Sequence, residues 1–507
     1  MNFDELKKLV SSNKFLNICT DSRAVKSGDV FVAVNGTVYD GHDFIDQAIA
    51  NGAKYIVSPQ NHRVTSHEPR AATISVQDST RAAAILAQAS KGNPSSKLIN
   101  LAVTGTNGKT TVAYLVRSCI QQAGEKCGLI GTVIYDDCSG KNSESPLTTP
   151  DCLTIAEKQS QMVKNGAKYM ITEASSHALS QDRLAGINFK AAAFTNLTGD
   201  HLDYHKTKED YLAAKIKLFT ALPPESYAIL NKESPEADYI AKKTKAKILW
   251  YSDMGFQPMN SWAGNPCHES LTANIESMDI SNTIFTINYR DKSVTVRTPL
   301  IGRYNISNHL AAAGLCLAAG LDLETIAAGL SAIKLIPGRL EKVEEPRTAS
   351  RESRATILID YAHTDDALKN VLSNLKPLCK GKLHVVFGCG GDRDRTKRPR
   401  MAHVAEQFAN HIIVTSDNPR TEDPRQIIDE ILTGFENFEP RATSHEPPSI
   451  KVIPDRKKAI ETAISAAGKD DIILIAGKGH ENYQIIGKTK SHFSDKEIAE
   501  QYLKNSM

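Results

Sequence analysis

The stretch Leu101–Val116, LAVTGTNGKTTVAYLV, decides how this chain is read. An apolar run gives way to a turn holding Gly105 and Gly108, and a helical pattern follows. Strand, glycine turn and helix together bring backbone N–H groups and a helix start to one point, which suits a phosphate. In that frame Lys109 reaches the terminal phosphates and Thr110 offers a hydroxyl to Mg²⁺. The strict phosphate-loop pattern asks for a glycine where this chain has Val103, and Gly105 is the nearest in role. The loop is therefore a shortened variant made of Gly105, Thr106, Asn107, Gly108, Lys109, Thr110 and Thr111.

Downstream, apolar runs alternate with helical stretches: YMITEAS, AAAFTNL, YAILN and KILWY. That alternation predicts a mostly parallel sheet with helices on both faces. The segment NTIFTINYRDKSVTVRTPL has period-two patterning about a turn at YRDKS and predicts an antiparallel hairpin, with a helix at SNHLAAAGLCLAAGL after it. Upstream, a polar link, KGNPSSK, separates this region from strands at DVFVAV, KYIVS and ATISV. Beyond IKLIPGRLE, four strands at TILIDYAHT, KLHVVFGCGG, HIIVTSDNP and DIILIAGKG each end in a turn with Gly, Asp or Pro. They predict a second doubly wound unit with its loops at the carboxyl ends of the strands. The fold class expected is α/β with three domains. These are a small α/β domain over 1–97, a central phosphate-loop ATPase-like parallel-sheet domain over 98–336 and a Rossmann-like domain over 337–507. Three polar stretches, VTSHEPRAAT at 64–73, PRTASRESRAT at 346–356 and RATSHEPPS at 441–449, lack apolar period and read as surface insertions apart from the chemistry.

Bulk properties narrow the class. A chain of 507 residues is too long for one core. Its 61 basic and 58 acidic side chains leave a net charge of +3, too balanced to argue for a nucleic-acid partner. The start, MNFDELKKLV, does not read as a signal peptide, and no apolar run reaches the roughly 18 residues of a membrane span. Nine cysteines without a CxxC pair read as free thiols in a reducing, cytoplasmic setting.

Three further stretches carry chemistry. In TEASSHAL, Glu173 ends a strand and is placed as a metal ligand facing the phosphate loop. FTNLTGDHLDYH holds Asp200, His201, Asp203 and His205. His201 with Glu173 suits Mg²⁺, whereas His201 and His205 at i,i+4 make half a zinc site that lacks the glutamate of HExxH; capping or core roles also stay open. In KEDYLAAKIKLF, Lys215 shares a helix side with Tyr211, Leu212 and Leu218, although a helix lysine is ordinarily solvated. In SDNPRTEDP at 416–424, Asn418 before Pro419 is pushed out of helix, and the stiffened loop holds Arg420 at the end of a strand.

TGTNGKTT, EASSHAL, NLTGDHLDYH, AAKIKLF, NISNHLAAAG, IPGRLE and DYAHTDDAL follow one another in the order seen in the Mur ligases. These are ATP-dependent amide-bond ligases that build the peptidoglycan stem peptide. The resemblance spans DSR at 21–23 to AGKGHE at 476–481, nearly the whole chain. It implies that Lys109, Glu173, His201 and Lys215 are catalytic. It implies metal contacts from Thr110, Glu173, His201 and Lys215, the last as a carbamate that holds a second Mg²⁺. It implies that Asn305, Arg339 and Asp360 bind the nucleotide, with Arg339 brought to ATP by closure of the last domain.

The resemblance also implies binding of UDP-MurNAc-L-Ala-D-Glu by Ser22, by the less typical loop Thr37, Val38 and Tyr39, and by Thr148, Thr149, Ser175, Ser176, Gln181 and Arg183. Hydroxyls and a guanidinium suit pyrophosphate, sugar and carboxylate oxygens. The DNPR form resembles the members that add meso-diaminopimelate. Lysine-adding relatives lack this arginine, because lysine has no second carboxylate. Arg420 is then the bidentate clamp on that carboxylate, with Arg393, Asp417, Asn418, Pro419, Gly477 and Glu481 around it. The reaction implied runs through an acyl phosphate on the D-glutamate, attacked by the amine. A monomer is the default expectation, and the charge balance and lack of long apolar runs argue against nucleic-acid and membrane partners. A lysine-adding ligase, a folylpolyglutamate synthase-like ligase and a catalytically idle nucleotide-binding regulator are the rival readings.

Overall fold

Each apolar run named above forms a strand. The strands assemble into sheets of four, eleven and six strands, with a two-stranded hairpin besides. The computed structural model describes residues 1–13, 15–36, 39–59, 71–254, 269–344, 355–436 and 448–506, and only the backbone of 202, 203 and 436. Thr37, Val38, the side chain of Asp203 and residues 64–70, 346–354 and 441–447 of the polar insertions lie outside the described residues.

In the first sheet, Ile18–Cys19, Val30–Val32, Tyr55–Pro59 and Ala72–Val76 lie side by side in chain order, all parallel. Side chains alternate between faces along a strand. Val30 and Val32 accordingly meet Leu6, Val10 and Leu86 of helices Phe3–Ser12 and Ser79–Ser90, while Phe31 packs with Ile45 and Ala48 opposite.

The central sheet is parallel through its middle and antiparallel at both edges. Ile99–Thr104 lies between Phe189–Phe194 and Tyr169–Glu173. Beyond Phe189–Phe194 follow Tyr227–Asn231, Lys247–Ser252 and Glu269–Met278, all parallel, and beyond Tyr169–Glu173 follows Cys127–Ile130. The chain thus leaves Ile99–Thr104 in both directions across the sheet. The crevice outside the carboxyl ends of the strands, where their order reverses, is where such sheets bind ligands. Thr283–Tyr289 and Lys292–Thr298 form the hairpin expected about YRDKS. Helix Arg303–Ala318 is buried nearly all round, which explains its lack of a polar stripe.

The third sheet contains the four predicted strands, Thr356–Asp360, Ile472–Ala476, Leu383–Phe387 and His411–Val414, in that spatial order and all parallel. Two edge strands are added to them. Glu341–Lys342 is too short to carry a pattern, and Ser449–Val452 alternates Ile450 and Val452 with polar residues over only four positions, all of them exposed. No helix among the described residues is long and apolar enough to cross a membrane.

Candidate active site

The phosphate loop leaves the central strand at Thr104, and helix Lys109–Gln122 starts directly after Gly108. Gly108 has φ of 89°, and a Cβ there would lie 2.3 Å from Asn308 Oδ1, so only glycine fits. Asn196 steadies the loop: its carbonyl accepts from Thr106 N at 2.9 Å and its Oδ1 from Asn107 N at 2.9 Å. Lys109 Nζ donates to Gly105 O at 3.0 Å and Thr106 O at 2.9 Å. Burial holds its amine below the usual lysine range.

Glu173, the last residue of its strand, is fully buried beside the loop. Its Oε2 accepts from Thr110 Oγ1 at 3.0 Å and Thr132 Oγ1 at 2.8 Å, and its Oε1 from Thr132 N at 2.9 Å. A carboxylate beside a loop hydroxyl is the protein half of a Mg²⁺ site, because this hard cation takes one or two carboxylates and completes its shell with phosphate oxygens and waters. The described residues include no group of three or more His, Cys, Asp and Glu that could hold a metal.

Lys215 is the side chain for which the ordinary solvation of helix lysines misleads and the helix periodicity does not. It is 1 % exposed. Its Nζ donates to Gly105 O at 2.8 Å and sits 4.3 Å from the centre of the Tyr211 ring. The Tyr211 hydroxyl in turn meets Thr106 Oγ1 at 3.1 Å. Burial first, then the charge of Lys109, push the Lys215 amine well below its ordinary range. His201 has a left-handed φ of 56°, lies 3.4 Å from the Asp200 carboxylate and meets the His177 ring edge-on.

The third sheet reaches this loop directly. Arg339 Nη2 donates to Thr110 Oγ1 at 3.2 Å, with its guanidinium 4.8 Å from the Tyr361 ring centre. Asn107 Nδ2 donates to Asp366 Oδ2 at 2.8 Å. Asp360 is buried, accepts from Leu340 N and Ala362 N, and is pushed up by burial. A cavity of about 550 Å³ opens here, and Thr106–Thr111, Glu173, Ser176, Lys215, Asn305, Arg339 and Asp360 line it. Gly105 contributes its carbonyl to the two lysines.

A second cavity, of about 640 Å³, adjoins the first. Thr148, Thr149, Ser175 and Arg183 enter it from the central domain, and Arg393, Asp417, Asn418, Arg420, Gly477 and Glu481 from the third sheet. Thr132, Thr148, Ser175, Asp200, His201, Tyr361, His363 and Thr364 line both cavities. Arg183 is oriented by Thr149 O at 2.8 Å and Gln181 Oε1 at 2.8 Å.

Arg420 occupies its place through backbone and side chain together. Its φ is 51°, its N–H donates to Ile485 O at 3.1 Å and its carbonyl accepts from Gly487 N at 2.6 Å. Nη1 donates to Gly391 O at 2.7 Å and approaches Asn418 O at 3.5 Å. Gly391 lets the two loops meet, since a Cβ there would lie 1.9 Å from Pro419 O. Pro419 itself is buried and stays out of the cavity wall.

Some expected residues lie elsewhere. Ser22 is buried in the first domain with its Oγ donating to Gln47 Oε1 at 2.8 Å, and Tyr39 is exposed; neither lines the two cavities. Gln181 lines a separate cleft with Asn35, Gly36 and Tyr204. Thr132, His363 and Lys478 escaped the sequence reading. Only the position of His363 and Lys478 just after strand ends could have flagged them.

Family models match along the chain: the Mur ligase family catalytic domain over 14–91, the Mur ligase middle domain over 103–316 and the Mur ligase glutamate ligase domain over 338–479. A UDP-N-acetylmuramoyl-L-alanyl-D-glutamate–2,6-diaminopimelate ligase from Geobacillus kaustophilus is 41% identical over 490 residues, 94% of this chain and 93% of the relative. Its counterpart from Gloeobacter violaceus is 42% identical over 486 residues, 96% of this chain and 93% of the relative. A solved structure of an enzyme of that name superposes with a TM-score of 0.64 at 32% identity, covering 97% of this chain and 95% of that one. Matched by family models from its first sheet to its last, and by relatives over nearly its full length, the chain belongs to the Mur ligase family.

Proposed function

We propose that the chain is an ATP-dependent amide-bond-forming ligase that adds meso-diaminopimelate to the D-glutamate of UDP-MurNAc-L-Ala-D-Glu. The observation that carries this reading is the wall common to both cavities. A nucleotide held at the phosphate loop and an amino acid held at Arg420 then face one another across Ser175, His201 and His363. A γ-carboxylate placed there accepts the terminal phosphoryl group of ATP, and the amine of the amino acid attacks the resulting acyl phosphate. Amide, ADP and phosphate leave, and no enzyme nucleophile is needed.

In this reading Lys109, Thr110 and Arg339 position the phosphates, and Asn305 and Asp360 border the nucleotide. Positioning and charge neutralisation supply most of the rate in phosphoryl transfer. Glu173 and Thr110 would hold one Mg²⁺, with His201 and a carbamylated Lys215 serving the second. Mg²⁺ so held neutralises charge developing on the transferred phosphoryl oxygens. An amine kept neutral by burial is the form that adds to CO₂: its nitrogen bonds the carbon, one C=O π pair moves onto oxygen, a proton leaves, and a neutral group becomes an anion. Thr148, Thr149, Ser175, Ser176 and Arg183 suit the muramyl dipeptide, and Ser22, Tyr39 and Gln181 its uridine side. We place the protein in the cytoplasm, as a monomer.

Phosphate release tests the reading. With ATP, Mg²⁺ and UDP-MurNAc-L-Ala-D-Glu, turnover is expected with meso-diaminopimelate and absent without an amine. Equal turnover with L-lysine would leave the ligase reading standing but remove the role given to Arg420, and turnover with L-lysine alone would make it a lysine-adding ligase. Turnover only with a folate and glutamate would move it to the folylpolyglutamate synthases, and ATP binding with no release under any amine would make it an idle binder.

A further inference from the structure

Lys478 lies behind the amino-acid cavity and does not line it. It is 0 % exposed, which is rare for lysine. Its Nζ donates to Asn418 Oδ1 at 3.1 Å and stands 3.6 Å from Glu481 Oε2 and 3.8 Å from Asp417 Oδ1. The Tyr483 and Phe493 ring centres are 5.6 and 5.9 Å away. Buried charges seldom add net stability, so a cation set among three groups of a binding pocket calls for another reason.

Two consequences follow from the contacts. Asn418 Oδ1 accepts from both Lys478 Nζ and Ile485 N, the latter at 3.0 Å, so the amide cannot turn over. Its Nδ2 is thereby aimed at Glu481 Oε2, at 2.9 Å. Burial pushes the Glu481 carboxyl up and Asp417 adds to this, while Lys478 opposes it most among the positive groups. The other groups facing Glu481 are Arg420, Tyr361, Tyr483 and Arg456, whose guanidinium is held by Asp495 at 2.7 Å.

We propose that Lys478 is a positioning residue for amino-acid recognition: its buried ammonium fixes Asn418 and keeps Glu481 a carboxylate, ready to pair with a substrate ammonium group. The inference rests on the diaminopimelate-adding reading above. Without the cation, Glu481 sits in a desolvated wall beside Asp417 and takes up a proton nearer neutrality. A protonated carboxyl no longer attracts an ammonium ion.

The test compares wild type, Lys478→Met and Lys478→Gln by steady-state phosphate release between about pH 9 and about pH 6. KM for meso-diaminopimelate should climb in both variants as pH falls, by about tenfold per unit below the raised carboxyl pKa. Wild type should stay much flatter, and KM for ATP and for UDP-MurNAc-L-Ala-D-Glu should not change. Lys478→Arg, which keeps the charge, should restore the flat profile. The double variant Lys478→Met with Glu481→Gln should have a high KM independent of pH. Variant profiles parallel to wild type, or all three KM values rising together, would overturn the proposal. A wild type inactive with diaminopimelate would instead remove the reading beneath it.

Discussion

Replacing Arg420 by alanine should raise KM for meso-diaminopimelate about 30- to 150-fold. The guanidinium spends Nη1 on Gly391 O, while Nε and Nη2 make no hydrogen bond among the described residues. Two donor groups are therefore left over, enough for a bidentate pair with the carboxylate proposed above. A hydrogen bond to a charged group contributes roughly 1.5–3 kcal/mol, and Arg420 is half-buried, so about 2–3 kcal/mol is assigned to the pair. At about 1.4 kcal/mol per factor of ten, that is the stated range. The loop itself should persist, because Ile485 O and Gly487 N hold the backbone of residue 420 whatever its side chain. Its φ of 51° supplies a control. Arg420→Gly removes the same guanidinium but relieves about 1–2 kcal/mol of left-handed strain. The glycine variant should melt higher than the alanine variant and show the same KM. Arg420→Lys keeps charge without the fork and should fall about tenfold short of wild type. Recovery of affinity in the glycine variant, or a parallel rise in KM for ATP, would show that loop geometry and not the guanidinium recognises the substrate.

Three other outcomes are expected. Lys215→Ala should lower kcat for phosphate release about 100- to 1000-fold, the cost of losing one preorganised electrostatic group, and wild type but not the variant should gain one CO₂ in intact mass when bicarbonate is added. Gly108→Ala forces a Cβ to within 2.3 Å of Asn308 Oδ1 in a left-handed backbone. It should cost about 1–2 kcal/mol in stability and weaken ATP binding at least about tenfold by calorimetry. His309, fully buried with Nδ1 against Asn305 O at 2.6 Å, is pushed down to about 4 by burial. A group with a depressed folded-state pKa binds fewer protons folded than unfolded. Its stabilising effect is present above the ordinary histidine value of about 6.5 and is lost as pH falls toward about 4. Urea unfolding should show that loss, on the order of 3 kcal/mol, and His309→Gln should flatten it.

The candidate site is assembled from two domains at one loop. Arg339 and Asp366 come from the far side of the chain, yet they meet Thr110 and Asn107 within hydrogen-bonding distance. Separation of the domains would break both contacts at once. The same loop carries Lys109 and accepts Lys215, so phosphate binding, the buried amine and domain apposition all meet at Gly105–Thr111.

The residue order alone determined whatever is local. Strand, glycine turn and helix are contiguous at Leu101–Val116, so the phosphate loop and its lysine could be placed without tertiary knowledge. Most buried strands of the second and third sheets announced themselves by apolar runs, with Cys127–Ile130 the exception, and Gly391 and the DNPR loop by turn chemistry. The two edge strands of the third sheet escaped, since Glu341–Lys342 spans two residues and the alternation in Ser449–Val452 is too short to stand out. Nor could the state of a charged side chain. Lys215 and Lys478 look like ordinary solvated lysines until residues far along the chain close over them, because burial and its electrostatic consequences depend on what packs against a residue. Only the tertiary structure brought Arg339 to Thr110, set Lys478 against Asn418 and joined the two cavities through one wall. Those juxtapositions link residues tens to hundreds of positions apart, and no local spacing encodes them.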